Sequence, residues 1–356
     1  MILKPGVILA EILEGRRISG EEFLFLYQEA DLLALARAAV TIRDRRFPND
    51  LITFIIDRNI NYTNVCSCRC KFCAFYREAT SPDAYVMGKE ELFRKIEEAV
   101  NAGATQVMIQ GGLHPELGID YFTDMFSSIK RKYDITIHSL TAPEIVHIAG
   151  VSGLTTRETL QRLAAAGLDS LPGGGAEVLH DEVRTRISPN KIRTAEWLRV
   201  MQEAHEIGLK TTATMMMGSL DTVEHRLAHL EAIRELQDKT GGFRAFIMWT
   251  YQPGNNELMG SKVTSLEYLR MLALSRLYLD NFAHVQGSWV TQGKQIGQLS
   301  IFFGADDLGS VMLEENVVRA AGLAYKASKE EIIDLIRKAG KTPAQRDTAY
   351  NILKIF

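Results

Sequence analysis

The sequence predicts an α/β fold, a (β/α)₈ barrel of the TIM type with a helical extension at each end. Short β-rich runs alternate with longer amphipathic segments, and glycines end several of those segments. Such alternation is typical of parallel strands joined by crossover helices, and eight repeats favour a closed barrel. An open doubly wound sheet is the alternative that the pattern leaves open. The predicted strands are 51–57, 105–110, 134–140, 167–171, 210–216, 244–251, 284–290 and 299–303.

The chain is predicted to have three segments, which are the barrel and one extension on each side of it. Residues 1–50 carry apolar side chains at helical spacing and form an N-terminal helical extension. The barrel covers 51–310. Residues 311–356 form a C-terminal helical extension packed on the barrel, with a helix start at Ser328.

The helices between the strands carry start and stop signals. Residues 89–102 place a row of apolar side chains on one face and end at Gly103. Helix 155–166 ends at Gly167, and helix 194–207 ends at Gly208. Capping boxes are predicted at two sites, Thr155-x-x-Glu158 and Thr264-x-x-Glu267.

Composition narrows the range of partners. The chain has 356 residues, a hydrophobic fraction of 46% and a net charge of −3, so we expect neither a nucleic-acid nor an anionic-membrane partner. No apolar run approaches the roughly 20 residues that a membrane span needs. The apolar start of the chain soon meets charged residues and has no small-residue cleavage site, so a signal peptide is not expected. These features predict a cytoplasmic protein.

All four cysteines lie between residues 66 and 73. A disulfide framework spreads its cysteines along the chain, so this cluster indicates a metal site. Cys66, Cys70 and Cys73 follow the first predicted strand, at the barrel face that carries active sites. Three thiolates in one loop suit an iron–sulfur cubane and leave one iron open for chemistry. A structural zinc site or a redox disulfide remains an alternative, and Cys68 could replace a neighbour as ligand.

The spacing Cys66-x₃-Cys70-x-Phe72-Cys73 resembles the signature of the radical SAM superfamily, with Phe72 at its aromatic position. The resemblance implies a radical SAM barrel, a [4Fe–4S] cluster held by these three cysteines, and S-adenosylmethionine (SAM) chelated by the open iron. One electron then cleaves SAM to methionine and a 5′-deoxyadenosyl radical, which removes a hydrogen atom from the substrate. The protein's part is to orient the reactants and exclude competing reactions.

Further residues at strand ends are candidate SAM contacts. The resemblance places the methionine amino group against the turn Gln110-Gly111-Gly112, although an ordinary tight turn is the alternative. Glu177 follows the fourth strand, where a carboxylate can accept from both ribose hydroxyls, or is a solvated loop glutamate. Lys191 or Arg193 is a candidate partner of the methionine carboxylate. The remaining candidates are Ser139 at the end of the third strand and, for an adenine pocket or the core, Met215, Met216 and Met217.

Residues at or just beyond the last three strands are predicted to form the far side of the active-site pocket. They are Trp249, Tyr251, Trp289, Gln292 and Asp306. For the two tryptophans, a place in the hydrophobic core is an equally good alternative to a place in the pocket. Three residues are hypotheses for the catalytic proton acceptor, namely His138, Asp306 and Glu144. A satisfied core histidine is the alternative for His138.

The resemblance extends over nearly the whole chain to the cyclic dehypoxanthinylfutalosine synthase family of menaquinone biosynthesis, also called dehypoxanthine futalosine cyclase. It is carried by seven segments, 55–66, 109–120, 138–145, 169–177, 211–218, 284–293 and 303–322. It implies that the radical takes hydrogen from ribose C4′ of dehypoxanthine futalosine and that the new carbon radical closes a ring on the benzoate. An electron donor such as flavodoxin or ferredoxin is implied.

Two residues depart from the family pattern. Asp306 stands where asparagine is expected, and Asp221 where glutamate is expected. The alternatives within the superfamily are an aminofutalosine synthase and a deazaflavin-cofactor synthase subunit. A non-catalytic metal-binding module is the alternative outside it.

Overall fold

The computed structural model describes residues 4–258, 260–323 and 325–356. The strands are β1 Leu51–Ile55, β2 Asp57–Ile60, β3 Gln106–Ile109, β4 Thr136–Ser139, β5 Ser170–Leu171, β6 Lys210–Met217, β7 Phe243–Thr250, β8 His284–Gln286, β9 Asp307–Ser310, β10 Thr342–Arg346 and β11 Ile352–Ile355. The helices that precede or join them are α1 Pro5–Leu13, α2 Gly20–Glu29, α3 Leu32–Arg46, α4 Lys89–Asn101, α5 Ile119–Lys132, α6 Ala142–Ser152, α7 Thr156–Ala166, α8 Asp181–Ile187, α9 Thr194–Glu206, α10 Val223–Thr240, α11 Ser265–Tyr278, α12 Trp289–Gln292, α13 Lys294–Ser300, α14 Val317–Ala320 and α15 Lys329–Lys338.

The barrel is built from parallel pairs in chain order. Each strand from β2 to β9 pairs in parallel with the next, and β9 pairs with β1. Only Ile56 separates β1 from β2, so the pairing returns to its starting point. The predicted first strand therefore reaches both flanks of the sheet, which gives the TIM-type architecture that the alternation predicts.

The N-terminal prediction is confirmed for the residues that the structure describes. Helices α1, α2 and α3 account for most of residues 4–50. A capping box at Ser19 and Glu22 starts α2, and the Asp31 side chain caps α3. Of the two predicted capping boxes, the one at Thr155 is complete. At Thr264 only the hydroxyl cap is present, because Glu267 pairs with Arg226.

The last predicted strand, 299–303, is wrong. Those residues are the end of α13 and a 3₁₀ turn, Ile301–Phe303, which ends at Gly304 with φ of +93°. The eighth barrel strand is β9, four residues further on. A short apolar run between turn signals is equally typical of a buried helical segment, and periodicity cannot separate the two. The seventh strand likewise stops at Gln286, because a short helix begins at Trp289.

The C-terminal segment is only partly helical. Helices α14 and α15 are present, with the predicted cap at Ser328, but β10 and β11 follow them. Strand β10 pairs in parallel with β1, so the tail extends the sheet instead of only packing on it. The sequence of β10 is polar and contains a proline, so it lacks the alternation that predicts a strand. The proposed division at residues 50 and 310 stays a prediction.

The main core lies between the sheet and its helices. It includes Val107, Met215, Phe246 and Val285 on the outer faces of the strands, together with helical residues such as Trp197. Side chains on the opposite strand face point into the barrel. Among the described residues, no helix is both long enough and apolar enough to cross a membrane.

Candidate active site

The cysteine loop leaves the carboxyl end of β2 and is held by backbone hydrogen bonds to three other parts of the chain. The Cys66 N–H donates to Arg77 at 3.1 Å, Ser67 to Leu113 at 3.0 Å, and Lys71 to Ile187 at 2.8 Å. The loop is therefore fixed by residues following β3 and by α8 as well as by its own return. The position at the carboxyl face agrees with the sequence prediction.

The four thiols lie in a largely desolvated setting. Burial raises the pKa of Cys66 and raises that of Cys73 to about 11. The sulfur atoms of Cys68 and Cys70 lie 3.6 Å apart. A hydrogen bond from Cys68 lowers the pKa of Cys70 to about 7, with further help from the Lys191 charge, against the effect of burial. This buried thiol cluster, with the Lys191 ammonium beside it, suits soft metal ions that bind thiolates.

The glycines after β3 make room for the cysteine loop. A Cβ on Gly112 would overlap the Val65 carbonyl and come within 2.8 Å of the Cys66 Cβ. A Cβ on Gly111 would lie 2.8 Å from the Tyr62 ring. The sequence predicts that these glycines let the backbone approach a ligand closely. The structure shows that they also let the glycine turn and the cysteine loop approach each other. Gln110 is half-buried and donates to Asn59 at 3.4 Å.

Glu144 joins the glycine turn to the cysteine loop. Its carboxylate accepts from the Tyr62 hydroxyl at 2.9 Å, from Gly111 N–H at 3.0 Å, and from both the N–H and the hydroxyl of Thr141 at 2.7 Å. The contacts with Thr141 form the capping box of α6. Burial raises the pKa of Glu144 to about 7 in spite of these donors. Every contact of this carboxylate among the described residues is structural.

Glu177 and Lys191 form a buried ion pair beside the cysteines. The Lys191 ammonium lies 2.7 Å from the Glu177 carboxylate and 5.2 Å from the centre of the Phe72 ring. The exposed fractions of the two side chains are only 11% and 6%. Burial lowers the pKa of Lys191, but the charges of Cys70 and Glu177 outweigh it and leave that pKa raised. The structure thus brings together three predicted residues that are far apart in sequence.

The backbone around Glu177 explains the glycine run before it. Glu177 itself has φ of +47°, and its carbonyl accepts from Met216 N–H at 2.8 Å. A Cβ on Gly173 would lie 2.6 Å from the Thr212 carbonyl oxygen, so this glycine lets the loop lie against β6. Ser139 is fully buried at the end of β4 and accepts from Ile109 N–H at 3.0 Å.

Comparison with known proteins agrees with this geometry. Residues 60–233 match the radical SAM superfamily model, and residues 240–356 match the model of the CofH/MqnC C-terminal region. The cyclic dehypoxanthine futalosine synthase of Streptomyces coelicolor is 49% identical over 98% of this chain and 88% of that protein. The enzyme of the same name from Halalkalibacterium halodurans is 43% identical over 98% and 95%. The chain belongs to the cyclic dehypoxanthine futalosine synthase family of radical SAM enzymes.

A solved structure supports the fold independently. Methylornithine synthase superposes with a TM-score of 0.75 at 16% identity, covering 94% of this chain and 97% of that one. At that identity the likeness concerns the fold alone. The radical SAM barrel predicted from the cysteine spacing is confirmed.

Two of the predicted catalytic residues, Asp306 and His138, are held by contacts outside the cysteine loop. Asp306 precedes β9, so it lies at the amino end of that strand, opposite the carboxyl face. It pairs with Arg276 and with His284, whose Nδ1 lies 2.6 Å away. Burial raises the pKa of Asp306, but Arg276 and His284 outweigh it and hold the pKa below its ordinary value. The predicted position beyond the last strand is wrong, because that strand was placed too early.

His138 is the penultimate residue of β4 and lies beside β5. Its Nδ1 is 2.8 Å from the Ser170 hydroxyl on β5, and Ser170 pairs with the first residue of β6. Burial lowers the pKa of His138 well below its ordinary value, so the ring is neutral at pH 7. A proton-acceptor role for His138, Asp306 or Glu144 stays a prediction.

The residues predicted for the far side divide between the site and the core. Trp249 and Tyr251 share an apolar cluster with Phe72 beside the cysteine loop. Trp289 lies in a separate core cluster, and its indole N–H donates to Ser310. Gln292 donates to the Thr250 hydroxyl at 2.5 Å. Met215 and Met217 belong to the main core, whereas Met216 lies with Phe72.

Tyr62 is a site residue that the sequence analysis missed. It is buried, and it donates to both Glu144 and the Gly112 carbonyl. Its place four residues before the first cysteine is the only signal in the sequence. Asp221, one of the two residues that depart from the family pattern, accepts hydrogen bonds from the Gly218 and Ser219 N–H groups. It also pairs with Arg226, so it shapes the loop after β6.

Proposed function

We propose that the protein converts dehypoxanthine futalosine to its cyclic form in menaquinone biosynthesis. The observation that carries this proposal is the 49% identity to a cyclic dehypoxanthine futalosine synthase over 98% of the chain. That similarity includes the C-terminal region as well as the cysteine loop. The reaction removes two hydrogen atoms from the substrate and forms one carbon–carbon bond within it.

Cys66, Cys70 and Cys73 would hold a [4Fe–4S] cluster. Their spacing, the soft donor set and the loop fixed at the carboxyl face support this assignment. When bound, the cluster supplies one electron to SAM and so provides the 5′-deoxyadenosyl radical that starts the reaction. Cys68 is left out of the ligand set on the family spacing alone.

The chain's own residues would bind and orient SAM beside the cluster. The turn Gln110-Gly111-Gly112 is the proposed partner of the methionine amino group. Lys191 is the proposed partner of the methionine carboxylate, and Glu177 of the ribose hydroxyls. The buried pair of Lys191 and Glu177 supports a division in which the cation receives a carboxylate and the anion receives hydroxyl donors. The Phe72 ring lies beside the Lys191 ammonium of this pair.

The proton that leaves the benzoate ring needs an acceptor. His138, Asp306 and Glu144 remain the proposed acceptors. Of these, Glu144 is linked to the cysteine loop by its hydrogen bond from Tyr62. The reductant is proposed to be a flavodoxin or a ferredoxin, and the site of action the cytoplasm.

The test is an anaerobic reconstitution with iron and sulfide, followed by incubation with SAM, dithionite and dehypoxanthine futalosine. We expect a brown protein, release of 5′-deoxyadenosine, and a product two mass units lighter than the substrate. A product that contains the adenosyl group would instead assign the chain to the aminofutalosine synthases. A colourless protein with tightly bound zinc would contradict both assignments.

The ligand set is tested separately with single cysteine variants. We expect Cys70→Ala to lose the cluster absorbance and most of the bound iron. Cys68→Ala is the matched control, because it changes a buried thiol two residues away and should retain about four iron atoms per chain. Equal loss of iron in both variants would show that Cys68 is a ligand.

A further inference from the structure

The interior face of the barrel contains space next to the cysteine loop. Along β3, β6, β7 and β8 the outward side chains are buried against helices, whereas several of the alternate ones are half-exposed. Because those alternate side chains point into the barrel, their exposure shows an interior chamber open to solvent. Besides Arg244 and His284 near the amino ends of β7 and β8, the half-exposed residues are Met108, Thr214, Ile247, Trp249 and Gln286.

None of these five residues carries a formal charge. Some polar groups of the chamber have hydrogen-bond partners within the protein, and others do not. The Thr214 hydroxyl donates to the Gly173 carbonyl at 2.7 Å. Gln110, at the end of β3, donates to Asn59. The Gln286 carboxamide makes no hydrogen bond with any part of the chain that the structure describes. It therefore offers two N–H donors to the chamber.

Gly309 fixes where the Gln286 carboxamide lies. A Cβ on Gly309 would be 2.5 Å from the Gln286 Cδ and would overlap its amide nitrogen. Gly309 has φ of +69°, and its N–H donates to Asp307 at 2.7 Å, so its backbone conformation is also set. The glycine leaves a flat surface on which the carboxamide rests. A side chain at position 309 would displace Gln286 into the chamber.

We infer that Gln286 is the residue that binds the carboxylate of the substrate's benzoate ring. The inference rests on the proposed function, which supplies an aromatic carboxylate as the ligand. Ile247 pairs directly with Gln286 across the sheet, and Trp249 lies two residues further along the same face. A benzoate ring packed on these apolar side chains brings its carboxylate to the amide donors.

The choice of an amide instead of a cation has a chemical consequence. A carboxylate only accepts hydrogen bonds, and the carboxamide of Gln286 donates to it without adding a charge of its own. A donor that faces a charged acceptor contributes about tenfold or more in affinity, since hydrogen bonds to charged groups are the stronger class. Gln286 would act by positioning the ring for attack, and it takes no proton.

Two variants test this contact at saturating SAM. Gln286→Glu keeps the size but replaces donors with a like charge, and Gln286→Leu removes the donors. We expect the KM for dehypoxanthine futalosine to rise about tenfold or more in both, with the larger rise in Gln286→Glu. Gln298→Glu is the matched control, since within the described residues the side chain of this glutamine bonds only to the Leu335 carbonyl on the outer helices.

A second ligand separates the carboxylate from the rest of the substrate. The wild type should bind the methyl ester of the substrate about as weakly as Gln286→Leu binds the free acid. KM values within twofold of the wild type in both variants would overturn the inference, as would an equal loss of acid and ester binding. If the wild type forms no cyclic product, the proposed function fails, and equilibrium dialysis of the free acid against the same variants still decides the role of Gln286.

Discussion

The Tyr62 hydroxyl donates a 2.9 Å hydrogen bond to the buried carboxylate of Glu144. Tyr62 begins the segment that carries the cysteines, and Glu144 caps the helix that follows β4. The same carboxylate holds the glycine turn through Gly111. One side chain of α6 thus fixes two neighbouring loops of the site relative to each other.

Tyr62→Phe should destabilise the fold by about 1–3 kcal/mol, because it leaves a buried carboxylate with one donor fewer. Urea unfolding of the cluster-free protein measures this change. Tyr121→Phe is the matched control, since Tyr121 packs against the Tyr62 ring but its hydroxyl makes no hydrogen bond within the described residues. Equal stability of the two variants would show that the Tyr62–Glu144 bond contributes nothing.

The raised pKa of Glu144 predicts a pH dependence of stability. The carboxyl group titrates near pH 4.5 in the unfolded chain, but burial raises its pKa to about 7 in the folded protein. The folded state therefore binds the proton more tightly, and the stability from this group is lost as pH rises from about 4.5 to about 7. The loss amounts to about 3 kcal/mol at most. Urea unfolding at several pH values should show this decline in the wild type and a flatter profile in Glu144→Gln.

Gly112→Ala should prevent proper formation of the cysteine loop. Its Cβ would overlap the Val65 carbonyl, and backbone cannot yield as a flexible side chain does. We expect most of the reconstituted iron to be lost. Gly150→Ala is the control, because this helical position has no atom within 4 Å of an added Cβ and should gain up to about 1 kcal/mol. Normal iron content in Gly112→Ala would contradict the close contact.

Breaking the pair of Lys191 and Glu177 on one side should cost about 3–5 kcal/mol, because an uncompensated buried charge remains. Lys191→Met and Glu177→Gln are the single variants. The double variant should be more stable than the sum of the single losses predicts, which a double-mutant cycle measures. Additive losses would show that the two groups do not interact. Both single variants should also weaken SAM binding if the proposed contacts hold.

Arg346→Met should destabilise the protein by a similar amount, about 3–5 kcal/mol. Its guanidinium donates twice to the buried Asp307 carboxylate, at 2.6 and 3.0 Å, and so attaches β10 to the barrel. Because these residues lie at the amino end of β9, we expect the KM for SAM to stay unchanged. A rise in that KM would place Arg346 in the SAM site instead.

Local patterns in the sequence determined the helices, most of the strands and the cysteine loop. Glycine stops, capping residues and apolar periodicity act over a few residues, so they can be read without knowing the fold. The cysteine spacing works the same way, since three ligands of one cluster lie on one short loop. The same patterns failed at 299–303, where a buried helical segment and a strand have the same composition, and that error moved Asp306 to the wrong end of the barrel.

Only the tertiary structure decided which distant residues meet. Strand β10 is polar because one of its side chains pairs with Asp307 inside the barrel, and nothing within residues 342–346 signals that partner. The contacts of Tyr62 with Glu144 and of Gly309 with Gln286 join elements far apart in sequence. Such pairs depend on barrel closure and strand register, which are set by packing of the whole sheet against its helices.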